Sequence, residues 1–140
     1  DRISERLNPS LDCRFDTTKE PLFGARVSDL SEDQQNALEN DCIQVGVDKE
    51  VLKRWKWEYG NNWIKIAHYA LQCQDNLRPT VHPGFLMAEL KYNVKDEMAR
   101  TAEDVALRRT KWIYELDDKK MRELETIIGD LLPDYGVKAN

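Results

Sequence analysis

The residues best able to do chemistry are three arginines, Arg100, Arg108 and Arg109, set among the acids Glu89, Glu97 and Asp104 within Ala88 to Leu116. A guanidinium is a planar fork that grips a carboxylate or phosphate by two hydrogen bonds, so the chemistry open to these residues is anion recognition or ion pairing. Arg108 lies four residues after Asp104 and forms an ordinary helical surface pair with it. Arg109 differs, because it interrupts the apolar stripe Ala102, Val105, Ala106, Trp112, Ile113 and Leu116. A guanidinium on that line loses water at a cost of several kcal/mol unless an acid compensates. Glu89, Glu97 or another acid of the preceding helix is the structural partner; the alternative is an anion or a domain contact beyond this chain.

Two helices position these groups. Leu86, Leu90, Val94 and Met98 recur every four residues and predict one buried helical face. Thr101 then opens Thr-Ala-Glu-Asp, where its hydroxyl accepts the backbone N–H near Asp104 and the Asp104 carboxylate favours the positive helix start.

The rest of the chain supports this unit. Ser31 and Gln34 predict a capping box for a helix with Ala37, Leu38, Cys42 and Val45 inward, stopped by Gly46. Asp48 caps the next, with Val51, Leu52, Trp55 and Tyr59 inward and Lys53, Arg54, Lys56 and Glu58 outward. Gly60 ends it in the left-handed conformation, and Asn61 or Asn62 caps a third helix over Trp63, Ile66, Ala67, Ala70 and Leu71. His68 sits beside that face as a partly buried histidine. Residues 75–84 form a loop, marked by Pro79 and His82-Pro83-Gly84. Asp117 or Asp118 caps a last helix lined by Met121, Leu124, Ile128, Leu131 and Leu132 and limited by Pro133, after which the tail frays. Trp55, Trp63 and Trp112 fall on apolar stripes and belong to the core, whereas Trp57 shares no stripe and should meet another domain. Residues 1–30, with Pro9, Pro21 and Gly24 among polar residues, read as an extended connector. The sum is an all-α bundle of about six helices over residues 31–140.

Bulk properties exclude several functions. At 140 residues, with 41% hydrophobic and 34% charged, the chain is one globular domain; a chain of this size buries about 68% of its unfolded surface. No apolar run reaches the ~20 residues of a membrane helix. A net charge of −5 argues against nucleic acid, which requires a basic face. Cys13, Cys42 and Cys73 form no paired motif and, with only His68 and His82, suggest neither a disulfide framework nor a metal centre. The six glycines never approach the GxGxxG spacing of a dinucleotide loop, and no phosphate loop, nucleophile elbow or zinc helix is present. The chain alone should therefore be catalytically inactive and bind no cofactor.

The run AELKYNVKDEMARTAEDVALRRT over residues 88–110 resembles the C-terminal helical domain of the FAD-dependent glycerol-3-phosphate dehydrogenase and alpha-glycerophosphate oxidase family. Tyr59-Gly60, the loop from Leu77 to Pro83, Cys13-Arg14 and Pro21-Leu22-Phe23-Gly24 extend the similarity. The resemblance implies a cap domain following FAD and substrate domains, with residues 1–30 deriving from that missing region. A start at Asp1 agrees with an excised piece. It further implies oxidation of glycerol 3-phosphate to dihydroxyacetone phosphate in the whole enzyme, with electrons passing to a quinone or to oxygen. The expected partners are the upstream domains of the same chain, and a homo-oligomer is compatible. The expected location is the cytoplasm or the cytoplasmic face of the membrane. Arg100, Arg108, Arg109 and Trp57 are the candidate contacts; Tyr59, Gly60, Glu89, Glu97, Thr101 and Asp104 are the structural set. The reading from a different class is a freestanding helical module that binds a partner protein.

Overall fold

The computed structural model of the chain describes residues 30–135. Ser31 opens helix α1 (Glu32–Val45) with the expected capping box: its hydroxyl accepts the Gln34 N–H at 3.3 Å, and the Gln34 side chain accepts the Ser31 N–H at 2.9 Å. Gly46, at φ 107°, turns its N–H back onto Cys42 and Ile43 and stops the helix. Asp48 caps α2 (Lys49–Tyr59) by accepting the Glu50 N–H at 2.7 Å.

The junction after α2 differs from expectation. Gly60 has φ 52° but ψ −138°, which lies outside the left-handed helical basin although still open chiefly to glycine. The chain runs on through a 3-10 turn (Gly60–Asn62) into α3 (Trp63–Gln72). Turn carbonyls of Gly60 and Asn61 accept the Trp63 N–H, and Asn62, at the cap position of α3, makes no capping side-chain hydrogen bond. Trp63, Ile66, Ala67 and Ala70 face inward as expected, but His68 is exposed, one position off the buried face.

The loop between α3 and the next helix closes through an isolated antiparallel bridge, Pro79 to Leu86. The Thr80 N–H reaches the Phe85 carbonyl at 2.8 Å, and the Met87 N–H reaches Arg78 at 3.0 Å. Next comes helix α4 (Met87–Lys95). Met87, Ala88, Glu89, Leu90, Tyr92, Asn93 and Val94 are all buried, so α4 is enclosed on nearly every side. It is the wall between two apolar clusters. Ala88 and Tyr92 join Leu52, Trp55, Trp63 and Ile66 on one side, and Leu90 and Val94 join Phe85, Val105, Leu124 and Ile128 on the other. Each large side chain so buried contributes about 1.5–3 kcal/mol before entropy is counted.

The apolar stripe of α4 ends sooner than its spacing predicts. The helix stops at Lys95, and Met98, at φ 56°, lies outside it and is 69% exposed. The chain reverses there, so Ala99 enters the core instead. Thr101 and Asp104 make the predicted start: the Thr101 hydroxyl accepts the Asp104 N–H at 3.1 Å, and the Asp104 carboxylate accepts the N–H groups of Thr101 and Arg100.

Beyond this start the segment Asp104–Arg109 is π-helical and not an α-helix. Its wider turn slips the side-chain phase by about one residue. Thr110 consequently falls over Val105, its N–H and hydroxyl both bonded to the Val105 carbonyl at 3.0 and 2.9 Å, and is buried. Arg109 is thereby moved out of the stripe to the surface, so the expectation of a buried guanidinium is overturned. Lys111, at φ 60°, breaks the helix, and Trp112–Tyr114 form a 3-10 turn, so no continuous helix reaches Leu116. Trp112 and Leu116 nevertheless fill their predicted core places.

Asp117 caps α5 (Asp118–Leu131), accepting the Lys120 N–H at 2.8 Å; Leu124, Ile128 and Leu131 are buried, and Pro133 lies in a closing 3-10 turn (Leu132–Tyr135). Five α-helices and the π-helical segment make the all-α bundle, with no strand beyond the single bridge among the described residues. No described helix is long and apolar enough to cross a membrane. The expected connector over residues 1–30, apart from Leu30, and the tail beyond Tyr135 lie outside the described residues.

The phase slip generates a test. Arg109→Glu should lower stability by less than about 1 kcal/mol, the range of an exposed ion pair, as read by urea denaturation; a loss of several kcal/mol would return the guanidinium to the interior.

Candidate functional site

Helix α4 carries a carboxylate, Glu89, into the interior with none of its surface exposed. Such a charge persists only if its lone pairs are taken up. Four hydrogen bonds do so. Arg54 of α2 binds it as a fork, Nη1 to Oε1 at 2.7 Å and Nη2 to Oε2 at 2.6 Å. Trp55 Nε1 donates at 2.8 Å, and the Tyr59 hydroxyl donates at 2.8 Å. All three donor residues lie on α2, at positions 54, 55 and 59, so one helix face grips one acid of another. Asn93, one turn along α4, donates to the Tyr59 oxygen at 3.1 Å and to the Glu89 carbonyl at 2.9 Å.

Arg54 extends the network outward. Its Nη2 also donates to the Gly84 carbonyl at 2.7 Å, its Nη1 reaches Glu58 at 2.7 Å, and its guanidinium lies 5.2 Å from the Trp112 ring centre. His82 lies against the same indole, 4.2 Å between ring centres, its Nδ1 accepting the Gly84 N–H and its Nε2 3.4 Å from Glu115. The network therefore ties α2, the loop at Gly84, α4 and the Trp112 turn together. Burial works against the Arg54 charge, but its bonds to Glu89 and then Glu58 outweigh this and hold the pKa above the usual arginine value. Burial, reinforced by the Glu89 charge, pushes the Tyr59 hydroxyl well above its usual range. Burial and the bond to Glu97 push Tyr92 up as well.

Helical spacing places Arg54 outward, and the structure corrects this. Arg54 borders Leu52 and Trp55 closely enough to snorkel inward, and an acid flanked by Ala88 and Leu90 on the helix that carries the Leu86, Leu90 and Val94 stripe is the available signal that some cation must turn toward it. Glu89 serves Arg54 and not Arg109.

The predicted arginines each have their own acceptors. Arg109 Nε lies 3.7 Å from the Glu97 carboxylate and its Nη2 donates to the Glu97 carbonyl at 3.1 Å, so Glu97, among the acids anticipated, is its partner. Glu97 in turn accepts the Tyr92 hydroxyl at 2.6 Å, linking the π-helical segment to α4. Arg108 pairs with Asp104 at 2.9 Å as expected. The Arg100 backbone N–H is the chief cause that holds the Asp104 carboxyl below its usual range. Arg100 itself donates to the carbonyls of Val94 and Ala99 near the end of α4. These are contacts that order the turn; they do not gather the three guanidinium groups on one ligand.

Trp57 is 89% exposed, in keeping with its absence from any stripe. It borders an open depression of about 500 Å³ lined by Glu50, Lys53, Arg54, Lys56 and Trp57. Cys42 is buried, its thiol pushed up to about 11 by burial and then by Asp41 and Glu39, and Cys73 is exposed. Among the described residues no group of three His, Cys, Asp or Glu side chains is arranged to hold a metal ion.

Residues 15–139 match the family model of the C-terminal domain of alpha-glycerophosphate oxidase. The chain belongs to that family. No curated protein and no solved structure matches it. The match points to the FAD-dependent oxidoreductases. Tyr59-Gly60, the loop at 77–83 and the 88–110 run all lie within the matched span, whereas Cys13-Arg14 lies outside it. Among the described residues Gly46, Gly60, Gly84 and Gly129 sit on separate elements, and none of these four follows a strand to approach a pyrophosphate.

The Glu89 network has two measurable consequences. Glu89→Gln leaves the Arg54 charge undercompensated and should cost about 3 kcal/mol in urea denaturation. For Tyr59 and Tyr92 the folded pKa is raised, so the unfolded chain ionises first. Their contribution is complete below the unfolded tyrosine value of about 10 and is lost as pH climbs from there toward the folded values. Stability should fall above that pH, and less steeply in Tyr59→Phe when both are titrated by denaturation.

Proposed function

We propose that this chain is the C-terminal cap domain of an FAD-dependent enzyme that oxidises glycerol 3-phosphate to dihydroxyacetone phosphate. The observation that carries the reading is the family match across residues 15–139. The domain's contribution is mechanical: Glu89 and its donors lock α2 to α4, which gives the flavin-bearing and substrate-binding parts of the same polypeptide a stiff helical body to rest against. Arg108 and Arg109, exposed on the π-helical segment, offer guanidinium groups to that contact. The flavin in this reading is held by residues outside 1–140, because the scattered glycines here build no cradle for it. The cytoplasm, or the cytoplasmic face of a membrane, suits such an enzyme.

The test is made on the complete polypeptide that contains this domain. It should purify yellow, its flavin absorbance should bleach when glycerol 3-phosphate is added anaerobically, and the charge reversal of Arg108 and Arg109 together should lower turnover without unfolding the domain. A polypeptide that carries no flavin, or a flavin that glycerol 3-phosphate leaves oxidised, would favour a freestanding interaction module.

A further inference from the structure

We propose that the side of α4 that meets α3 is a binding site for a phosphate-bearing anion, held between Lys91 and Lys95. The two lysines stand four residues apart on α4 and so share one face, where like charges repel unless an anion lies between them. Both reach Tyr69 of α3, by different routes. Lys91 Nζ donates to Asn76 Oδ1 at 2.6 Å, and Asn76 Nδ2 donates to the Tyr69 carbonyl at 2.6 Å. Lys95 Nζ lies 5.6 Å from the centre of the Tyr69 ring.

The support under Lys91 is rigid. Asn76 stands in the 3-10 turn Gln74–Leu77 that follows α3 and has none of its surface exposed, so the amide that receives the ammonium group is itself fixed at both ends. A neutral amide positions a charge without cancelling it, and among the described residues Lys91 pairs with no carboxylate. The neighbouring acids are engaged elsewhere. Asp96 accepts Lys65 Nζ and the Tyr69 hydroxyl, each at 3.0 Å, and Asp75 lies 3.2 Å from Arg78. Glu97 accepts the Tyr92 hydroxyl and holds Arg109. The occupant is a phosphate group and not a carboxylate, because one phosphate dianion presents several oxygens and enough charge for two ammonium groups, and lysine meets phosphate as a point charge. A monocarboxylate would leave one of the two uncompensated. A soluble phosphomonoester and a phospholipid headgroup share this chemistry; nucleic acid does not suit a chain of net charge −5. The site stands on these side chains and not on the flavin reading.

The experiment is calorimetric titration of the 140-residue chain with inorganic phosphate at low ionic strength, with chloride as the control anion, on the parent chain and on Lys91→Gln, Lys95→Gln and Lys119→Gln. Lys119 is exposed on α5 and serves as the remote control. Circular dichroism and urea denaturation establish that each variant folds. Phosphate should bind saturably, Lys91→Gln and Lys95→Gln should each weaken it roughly tenfold, and Lys119→Gln should leave it unchanged. Co-sedimentation with phosphatidylcholine vesicles, with and without phosphatidic acid, separates the two sources of the group. Binding to phosphatidic acid vesicles that Lys91→Gln and Lys95→Gln abolish supports the site with a lipid headgroup as occupant, and saturable binding of phosphate without vesicle binding supports it with a soluble one. A chain that binds neither overturns the proposal. So does binding that Lys91→Gln and Lys95→Gln weaken no more than Lys119→Gln does.

Discussion

The fold depends on one buried charge. Glu89 sits at the centre of α4 with no access to water, and a carboxylate in that position is tolerable only because Arg54, Trp55 and Tyr59 supply four hydrogen bonds from a single neighbouring helix. Apolar packing alone would let α2 slide or rotate on α4 at modest cost, since hydrophobic contact is not directional. A bidentate fork, an indole N–H and a phenol set at fixed offsets along α2 admit one register. The same Arg54 reaches Gly84 and lies over Trp112, so the alignment of α2 is passed to the loop before α4 and to the turn after the π-helical segment.

A second constraint acts on the other side of α4. The five-residue hydrogen bond from Thr110 to Val105 widens the helix by one residue and decides which side chains face inward. Thr110 gains a buried place and Arg109 gains solvent, where Glu97 holds it beside Tyr92. The two arrangements share a logic: Arg54 and Arg109 are each matched to an acid of α4 or of the turn after it, and the matching fixes how neighbouring elements sit.

Much of this is legible in the sequence because its signals are local. The capping box at Ser31, the caps at Asp48 and Asp117, the stop at Gly46 and the Thr101–Asp104 start each involve residues two to four apart, and all stand in the structure. Apolar spacing places Leu52, Trp55, Leu90, Leu124 and Ile128 correctly, and the lack of any stripe for Trp57 places it outside. The errors arise where neither a cap nor a 3.6-residue period decides the outcome. Nothing within four residues of Arg54 reveals that its partner stands thirty-five positions away. Nothing in a 3.6-residue period announces a π-helical turn, so spacing alone sends Arg109 to the interior and Met98 to a helix that has already ended. The family resemblance, carried by the 88–110 run, agrees with the match over residues 15–139, and that run holds the groups whose pairing builds the turn.

The most direct measurement is a double-mutant cycle on Arg54→Met and Glu89→Leu, with unfolding free energies from urea denaturation. If the pair sets the register of α2 on α4, each single variant leaves a buried charge behind and loses several kcal/mol, while the double variant recovers most of it, giving a coupling of roughly 2 kcal/mol or more. Additive losses, with no coupling beyond a few tenths of a kcal/mol, would contradict the claim that this pair organises the domain.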